Sequence, residues 1–391
     1  MDPDAFSWLL GDPGQALLRD ATRLFAEDRD PDLIRIAEAL RRDADPVHVS
    51  TAMTQVRLRD QAKPKFGAQA AVMYFTPDGL EQATGARVAA HRAARVAAAA
   101  PDSVLDLGCG IGGDLVAFAR AGLTTAGVDR EETRVAVASA NLAALGLGGA
   151  AQVADGTSID LSPFGVVFAD PDRRGPRGRV FDAHSYAPPW PFVAQLLERA
   201  SCVKVAPGIP HDLLPADVEA EWVSDGGQVK EAVLWSSALA LTGRRATVIG
   251  PTGLATLTDE DLPDVPPVRD VGRFLYEPDG AVIRAGLVTA VASLVGGGLV
   301  DRHIAYVTAD RPTSTPFARG YEVLDRLPFH EKPLRAALHA RDIGRLTIKK
   351  RGVDVVPDQL RKRLALRGDE EATVVLTRVL GRGTALLVRP L

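Results

Sequence analysis

Apolar positions recur at three- and four-residue spacing through ALLRDATRLFAE, PDLIRIAEALRR and VHVSTAMTQVRLRDQA, which predicts helices over most of residues 1–75. Pro31 and Pro46 stand near the starts of two of these segments, as suits a first helical turn. AKPKFG then predicts a break, and Thr76-Pro77-Asp78-Gly79 carries turn chemistry. An alanine-rich helix comes next, to about residue 99. From 103 to about 250 the pattern changes. Short apolar runs (SVLDLG, TTAGVD, GVVFAD, CVKVAP) alternate with helical stretches (GDLVAFARA, EETRVAVASANLAALG, PFVAQLLERA). That alternation predicts a parallel sheet covered by helices on both faces. EAVLWSSAL and RRATVIG predict an antiparallel pair near its end, which makes the sheet mixed. DEDLPDVPPVRD, 259–270, is proline-rich and acidic and predicts a linker. Beyond it, IRAGLVTAVASLV, LRAALHA and PDQLRKRLAL predict helices. HIAYVTA, RLTIKKRG and the two halves of ATVVLTRVLGRGTALLVRPL predict strands. The expected fold class is α/β, in three parts: a helical domain at 1–75, a sheet domain at 76–260 and a second α/β domain at 270–391.

The chain has 391 residues, enough for two or three cores, and its 46% hydrophobic and 25% charged residues suit an ordinary globular protein. No apolar run approaches the ~18 residues of a membrane span. The start, MDPDAFSWLL, carries acids where a secretory leader would be basic. Only Cys109 and Cys202 are cysteines, so a reducing cytoplasm is expected, with no disulfide framework. Seven histidines fall at no metal-ligand spacing, so no metal site is expected. The net charge of −4 hides an asymmetry: residues 270–391 carry about 20 Lys+Arg against about 14 Asp+Glu. A basic end on an acidic body suits an anionic partner met at one end, or, as charge alone favours, a solvated basic face.

VLDLGCGIGG, 104–113, carries the strongest chemical signal. A buried strand runs into Gly108, Gly110 and Gly112, and a helix begins near Asp114. Glycines let the backbone turn sharply and let a ligand lie against it. Asp106, two residues before the first glycine, makes this the variant found at S-adenosylmethionine sites rather than dinucleotide sites. A carboxylate there suits the ligand's ammonium. Asp129, 21 residues after Gly108, is placed to accept from ribose hydroxyls. Asp155, after the next strand, could reach the adenine amino group. A nicotinamide dinucleotide fits less well. Cys109, inside the loop, is expected to be a small packing residue.

FADPDRRG, 168–175, ends an apolar run in Asp170-Pro171. Amino-group methyltransferases hold their target nitrogen with such an acid-proline, usually in D-P-P-Y or D-P-P-W. Here Asp172-Arg173-Arg174 replace the second proline and the aromatic. Asp170 and the Pro171 carbonyl supply two acceptors for an exocyclic amine. Stacking would then come from Tyr74 or Phe75, Tyr186 or Trp190. Arg173 and Arg174 invite phosphate contact, or pair with a local acid. Lys204, at a strand's C-terminal end, either lines the pocket or reaches solvent.

On MYFTPDGLEQATGARVAAHRA, VLDLGCGIGGD, FADPDRRG, VKVAPGIPHDLL, HIAYVTADRPTSTPFARGYEVL and RLTIKKRGVDV, the chain resembles the bacterial class I S-adenosylmethionine-dependent methyltransferases that carry a C-terminal THUMP-like domain. The resemblance covers most of the chain from about residue 70. It implies a helical N-terminal domain, a Rossmann-like catalytic domain similar to trimethylguanosine synthase, and a THUMP-like domain of the kind associated with RNA. Glu81-Gln82 resembles the family's E-Q motif, with Gln82 closing over the cofactor. Lys349, Lys350 and Arg351, with Arg361, Lys362, Arg363 and Arg367 after them, then become candidate phosphate contacts. The expected activity is methylation of an RNA base amine, with guanine N2 a candidate, in tRNA or rRNA. The alternatives are a non-catalytic cofactor-fold protein binding RNA or protein, and a methyltransferase acting on a protein or small molecule.

Overall fold

The structure is a computed structural model that describes residues 2–27, 32–171, 189–263 and 267–391. The chain divides into two compact units. The first is Met1–Val205 with Ala216–Val218 and Leu234–Ala240; the second is Ala206–Pro215, Glu219–Val233 and Leu241–Leu391.

The first unit opens with helices α1 (Pro3–Leu10), α2 (Asp12–Ala26), α3 (Leu33–Leu40) and α4 (Pro46–Phe66). Asp2, Asp32 and Asp45 cap three of them, each accepting backbone N–H groups of the first turn. Pro46 takes the first helical position, while Pro31 lies outside the described residues. The break expected at AKPKFG is absent: α4 runs through Pro64 and stops at Gly67, φ 60°. Pro64 sits in the last turn, where a missing N–H costs only one helical bond. Thr76-Pro77 is not a turn but the start of α5 (Pro77–Gln82), with Thr76 accepting from Gly79 N at 3.0 Å. Then come α6 (Ala86–Ala98), β1 (Val104–Leu107), α7 (Gly113–Arg120), β2 (Thr125–Asp129), α8 (Glu132–Ala144), β3 (Ala150–Val153), β4 (Val166–Ala169), α9 (Trp190–Leu196) and β5 (Ser201–Val205).

These five strands are parallel, in the order β3-β2-β1-β4-β5. The direction of winding reverses between β1 and β4. In open α/β sheets, ligands bind in the crevice at the strand C-termini where that reversal occurs. Gly108 and Asp170 directly follow those two strands.

The helical segment shares a core with the sheet domain. Phe6, Leu9, Leu18, Val49, Ala52 and Phe66 share one cluster with Tyr74, Phe75, Ile111 and α8 residues Val137 and Ala140. Two buried carboxamides tie the connecting segment down. Asn141 accepts from Tyr74 N (2.7 Å) and donates to Tyr74 O (3.1 Å) and Ile111 O (2.8 Å). Gln55 accepts from Phe75 N (3.0 Å) and donates to Phe75 O (2.8 Å).

The second unit holds β6 (Glu219–Asp225), β7 (Gln228–Trp235) as far as Val233, β8 (Arg244–Gly250) and β9 (Gly253–Thr258), in the order β7-β6-β8-β9. The expected pair of EAVLWSSAL with RRATVIG does not form, because β6 lies between them. β6 is parallel to β8, and β9 supplies the antiparallel partner. β6 escapes a hydropathy pattern because Glu219 and Glu221 are buried in it. Glu219 accepts from Arg245 Nε at 2.7 Å and Leu241 N at 2.8 Å, and Glu221 accepts from Thr247.

The rest is β10 (Phe274–Pro278), α10 (Gly280–Arg284), α11 (Val288–Leu294), β11 (Gly298–Asp301), β12 (Ile304–Ala309), β13 (Ala318–Leu327), α12 (Glu331–His339), β14 (Ile343–Lys350), α13 (Pro357–Leu364), β15 (Glu370–Val379) and β16 (Arg382–Pro390). Its seven strands run β11-β12-β10-β13-β16-β15-β14, with β14 parallel to β15 across α13. The single helix expected over IRAGLVTAVASLV is two, broken at Gly286, φ 71°.

Asn141→Ala strands three buried backbone groups at once. It should lower the unfolding free energy of the full chain by about 3 kcal/mol. Equilibrium urea unfolding checks this, and a loss under ~1 kcal/mol contradicts the role given to the carboxamide.

Candidate active site

β1 delivers the chain into a loop whose three glycines all have left-handed backbones: Gly108 at φ 80°, Gly110 at 54° and Gly112 at 84°. Side chains rarely adopt this conformation. A Cβ on Gly112 would come within 3.2 Å of Ala138 in α8, whereas at Gly110 nothing lies within 4 Å. The loop is therefore tight against the protein at one glycine and open at another. Asp129, at the end of β2, holds it there. Its Oδ2 accepts from Gly110 N and its Oδ1 from Glu131 N, both at 3.0 Å, with Arg134 3.8 Å away. A carboxylate has about four lone-pair positions, so two remain for a hydroxyl pair.

Asp106 lies beneath the loop and is 1% exposed. Among the described residues, neither carboxylate oxygen has a hydrogen-bond partner. Burial pushes its pKa up to about 7; Asp170 and Asp129 push the same way, and Arg92 pulls against them. The Leu115 N–H also opposes the rise, from beyond hydrogen-bonding reach. Arg92 is itself committed to Asp114, a buried pair lying over the Phe168 ring. An unpaired buried carboxylate is costly unless a donor or cation meets it. The ammonium of S-adenosylmethionine is such a group, and the backbone at Gly110 in the same loop leaves space for a ligand. The residues fit that cofactor.

Asp155 stands elsewhere in character. It is exposed, its Oδ2 bonded to Arg130 (2.8 Å) and its Oδ1 to Thr157 N (2.9 Å) and Oγ1 (2.7 Å). The Arg130 bond, then those of Thr157, hold its pKa down to about 2. Contact with an adenine amine requires it to share those partners.

Asp170 follows β4, and the parallel register with β5 pairs Ala169 with Val203. The next step along both strands brings Asp170 beside Lys204. Their separation is 2.5 Å, Oδ2 to Nζ, and the Lys204 side chain is only 9% exposed. Lys204 also donates to Thr84 Oγ1 at 3.3 Å. Lys204 thus faces the site rather than solvent, and Thr84 is a member that motif reading missed. No local signal marks Thr84, since its role depends on packing between distant segments. Pro171 is buried beside Asp170. Gln82 ends α5 and is half-buried. The helix presses on the glycine loop: a Cβ on Gly79 would overlap Ile111 at 2.4 Å.

Two stacking candidates are excluded. Tyr74 and Phe75 are 5% and 0% exposed, within the helical core against Phe6 and Phe66. Trp190, the first residue of α9, is half-buried. Asp172, Arg173, Arg174 and Tyr186 lie outside the described residues. Cys109 is buried, and burial pushes its thiol pKa up, consistent with packing. Among the described residues no cluster of His, Cys, Asp and Glu is arranged for a metal, and no helix is long and apolar enough to cross a membrane.

In the second unit the strand period splits the basic cluster. Lys349 Nζ bonds Glu277 at 2.6 Å, and Arg351 reaches the same carboxylate at 3.9 Å and Ala305 O at 3.0 Å. Burial pulls the Lys349 pKa down, but the bonds to Glu277 and Tyr321 outweigh it and the net shift is upward. Lys350, between them, points the other way and is exposed. Arg361 and Arg363 bond Asp358 and Glu331, each at 2.7 Å.

The unpartnered Asp106 has a measurable signature. Its folded pKa of about 7 exceeds the unfolded value, so between about 4 and 7 the native state binds the extra proton. Stability from this group is full below that window and is lost as pH rises through it. Asp106→Asn removes the loss. In urea unfolding without cofactor, the variant should gain on wild type at pH above about 7 and not near 4. A gain independent of pH contradicts this assignment.

Comparison with known proteins agrees with the geometry. Residues 318–390 match the THUMP domain-like family, and residues 2–62 match a domain family of unknown function, DUF8688. Proteins of Mycobacterium tuberculosis strains H37Rv and CDC 1551, each described as an uncharacterized S-adenosylmethionine-dependent methyltransferase, are 40% identical over 326 residues, covering 81% of this chain and 88% of theirs. The crystal structure of a candidate methyltransferase from Porphyromonas gingivalis W83 shares the fold at TM-score 0.74 and 20% identity, over 96% of this chain and 98% of that one. With its orphaned Asp106 and its glycine loop at the end of β1, the chain belongs to the S-adenosylmethionine-dependent methyltransferases, with a THUMP-like C-terminal domain.

Proposed function

We propose that this methyltransferase modifies an amino nitrogen of an RNA base, with guanine N2 the foremost candidate, in tRNA or rRNA of the cytoplasm. The observation that carries the reading is Asp170, held beside the glycine loop by a nearly buried Lys204. S-adenosylmethionine supplies a methyl group on a positively charged sulfur. Asp106 takes its ammonium, Asp129 its ribose, and Gln82 with α5 covers it; Asp155 remains the candidate for the adenine. Asp170 and the Pro171 carbonyl accept the hydrogens of the target amine. That contact frees the nitrogen's lone pair from conjugation and aims it. Arg173 and Arg174 serve as phosphate contacts in this reading.

The THUMP domain-like match supports an RNA partner. Lys349 and Arg351 are turned inward to Glu277, so phosphate contact falls to Lys350, with Lys362 and Arg367 on the exposed face. The same inward pairing is what favours a protein or small-molecule acceptor as the second reading.

The test is labelled methyl transfer to total RNA from a strain lacking this gene, with wild-type RNA as control. Label should enter only the former; label in neither, with cofactor bound, favours the second reading. Asp170→Ala should lower transfer by at least about 100-fold and leave the cofactor Kd within about threefold by calorimetry. Lost cofactor binding in a folded variant overturns that division of labour. Lys350→Ala should reduce the slope of log affinity against log salt by about 0.7–0.9, while Lys349→Ala leaves it unchanged. Equal slopes in the two variants place the phosphate contact elsewhere.

A further inference from the structure

We propose that the Lys204–Asp170 pair restricts the acceptor to a neutral nitrogen conjugated to a ring or carbonyl, and turns away protonated aliphatic amines. The proposal rests on Asp170 as the acceptor-side group and not on the substrate being RNA. Asp170 Oδ2 is spent on Lys204 at 2.5 Å. Oδ1 has no partner among the described residues and is the oxygen left for substrate. The pair cannot drift apart, because both residues extend the paired strands β4 and β5, and Thr84 holds Lys204 from a third segment. The carboxylate therefore offers a hydrogen-bond acceptor without offering net negative charge.

A protonated lysine or polyamine approaching Oδ1 meets the Lys204 ammonium a few ångströms away, and meets the positive sulfur of the donor on its other side. Among the described residues, the other acids of the site do not compensate. Asp106, on β1, is taken by the cofactor's ammonium, and Asp129, on β2, holds the glycine loop. An ammonium also lacks a lone pair, so it cannot attack the methyl group until it has lost a proton. A conjugated amine has none of these difficulties. It is neutral at physiological pH and presents two N–H groups, one to Oδ1 and one to the Pro171 carbonyl. As the N–C bond forms, the S–C bond breaks with its electron pair left on sulfur. The nitrogen's surplus proton passes to Asp170 and on to water. Lys204 touches neither the nitrogen nor the methyl group in this scheme; it is a positioning residue.

Two measurements test this. In the first, labelled transfer is measured for RNA, free nucleosides, spermidine and poly-lysine. Label should favour the conjugated amines over spermidine and poly-lysine by at least roughly 100-fold. Comparable label in either aliphatic acceptor overturns the proposal. Label in a nucleoside with none in RNA sinks the RNA reading and leaves this one standing. In the second, Lys204→Met is assayed on the same acceptors, with Lys204→Arg as the conservative variant and cofactor binding checked by calorimetry. Lys204→Met should narrow the preference for conjugated over aliphatic amines by at least roughly tenfold, and Lys204→Arg should restore it. An unmoved preference in a folded, cofactor-binding Lys204→Met variant shows that the pair does not select the acceptor and overturns the proposal. Lys204→Gln replaces the Met variant if that one does not fold.

Discussion

The carboxamide of Asn141 sits where water does not reach and satisfies three backbone groups, two on Tyr74 and one on Ile111. An amide has fixed donor and acceptor directions, so it locks the spacing between the segment before α5 and the glycine loop. Gln55 repeats the device from α4 on the next residue, Phe75. Residues further along the chain inherit that placement. Gly79 settles on Ile111, Thr84 reaches Lys204, and Lys204 holds Asp170. The acid on the acceptor side is thus located relative to the cofactor loop through short, buried contacts. The helical N-terminal segment contributes to the site only in this way, as the far wall of the core in which the two carboxamides are buried.

The acids of the site divide by how they are partnered. Asp129 is spent on loop amides, Asp170 on a lysine, and Asp106 on nothing among the described residues. In the reaction proposed above, this gradient suits two tasks that a uniform cluster of carboxylates could not perform together. A bare carboxylate attracts a cation, and a compensated one accepts a hydrogen bond without attracting charge. The same logic runs through the second unit, where Glu277 draws Lys349 and Arg351 inward and leaves the outward charge to their neighbours.

The features legible in the sequence were those that depend on local chemistry. The glycines, Asp106 and Asp129 lie at readable spacing along and after apolar strands, and all three glycines take the left-handed backbone that reading requires. The parallel sheet around β1 and the helices α2, α4, α6, α12 and α13 were legible from periodicity alone, but the strand order was not. The failures came where a distant partner decides. β6 was hidden by two glutamates whose partners lie on or beside the neighbouring β8. Tyr74 and Phe75 looked available for stacking because nothing nearby in sequence shows the carboxamides that bury them. Asp170 and Lys204 are 34 residues apart, and only strand register makes them a pair. The split of Lys349, Lys350 and Arg351 was within reach, since side chains alternate along a strand, but the inward pull needs Glu277, 72 residues from Lys349.

The unpaired carboxylate of Asp106 has a consequence outside the chemistry of transfer. A protein that carries a buried, unmet charge is less stable empty than loaded, and a ligand that binds only the native state stabilises it in proportion to the logarithm of its concentration. The folded fraction, and with it the exposure of the chain to proteases, is then tied to the supply of methyl donor. Scarcity of the donor therefore weakens the fold itself as well as slowing transfer.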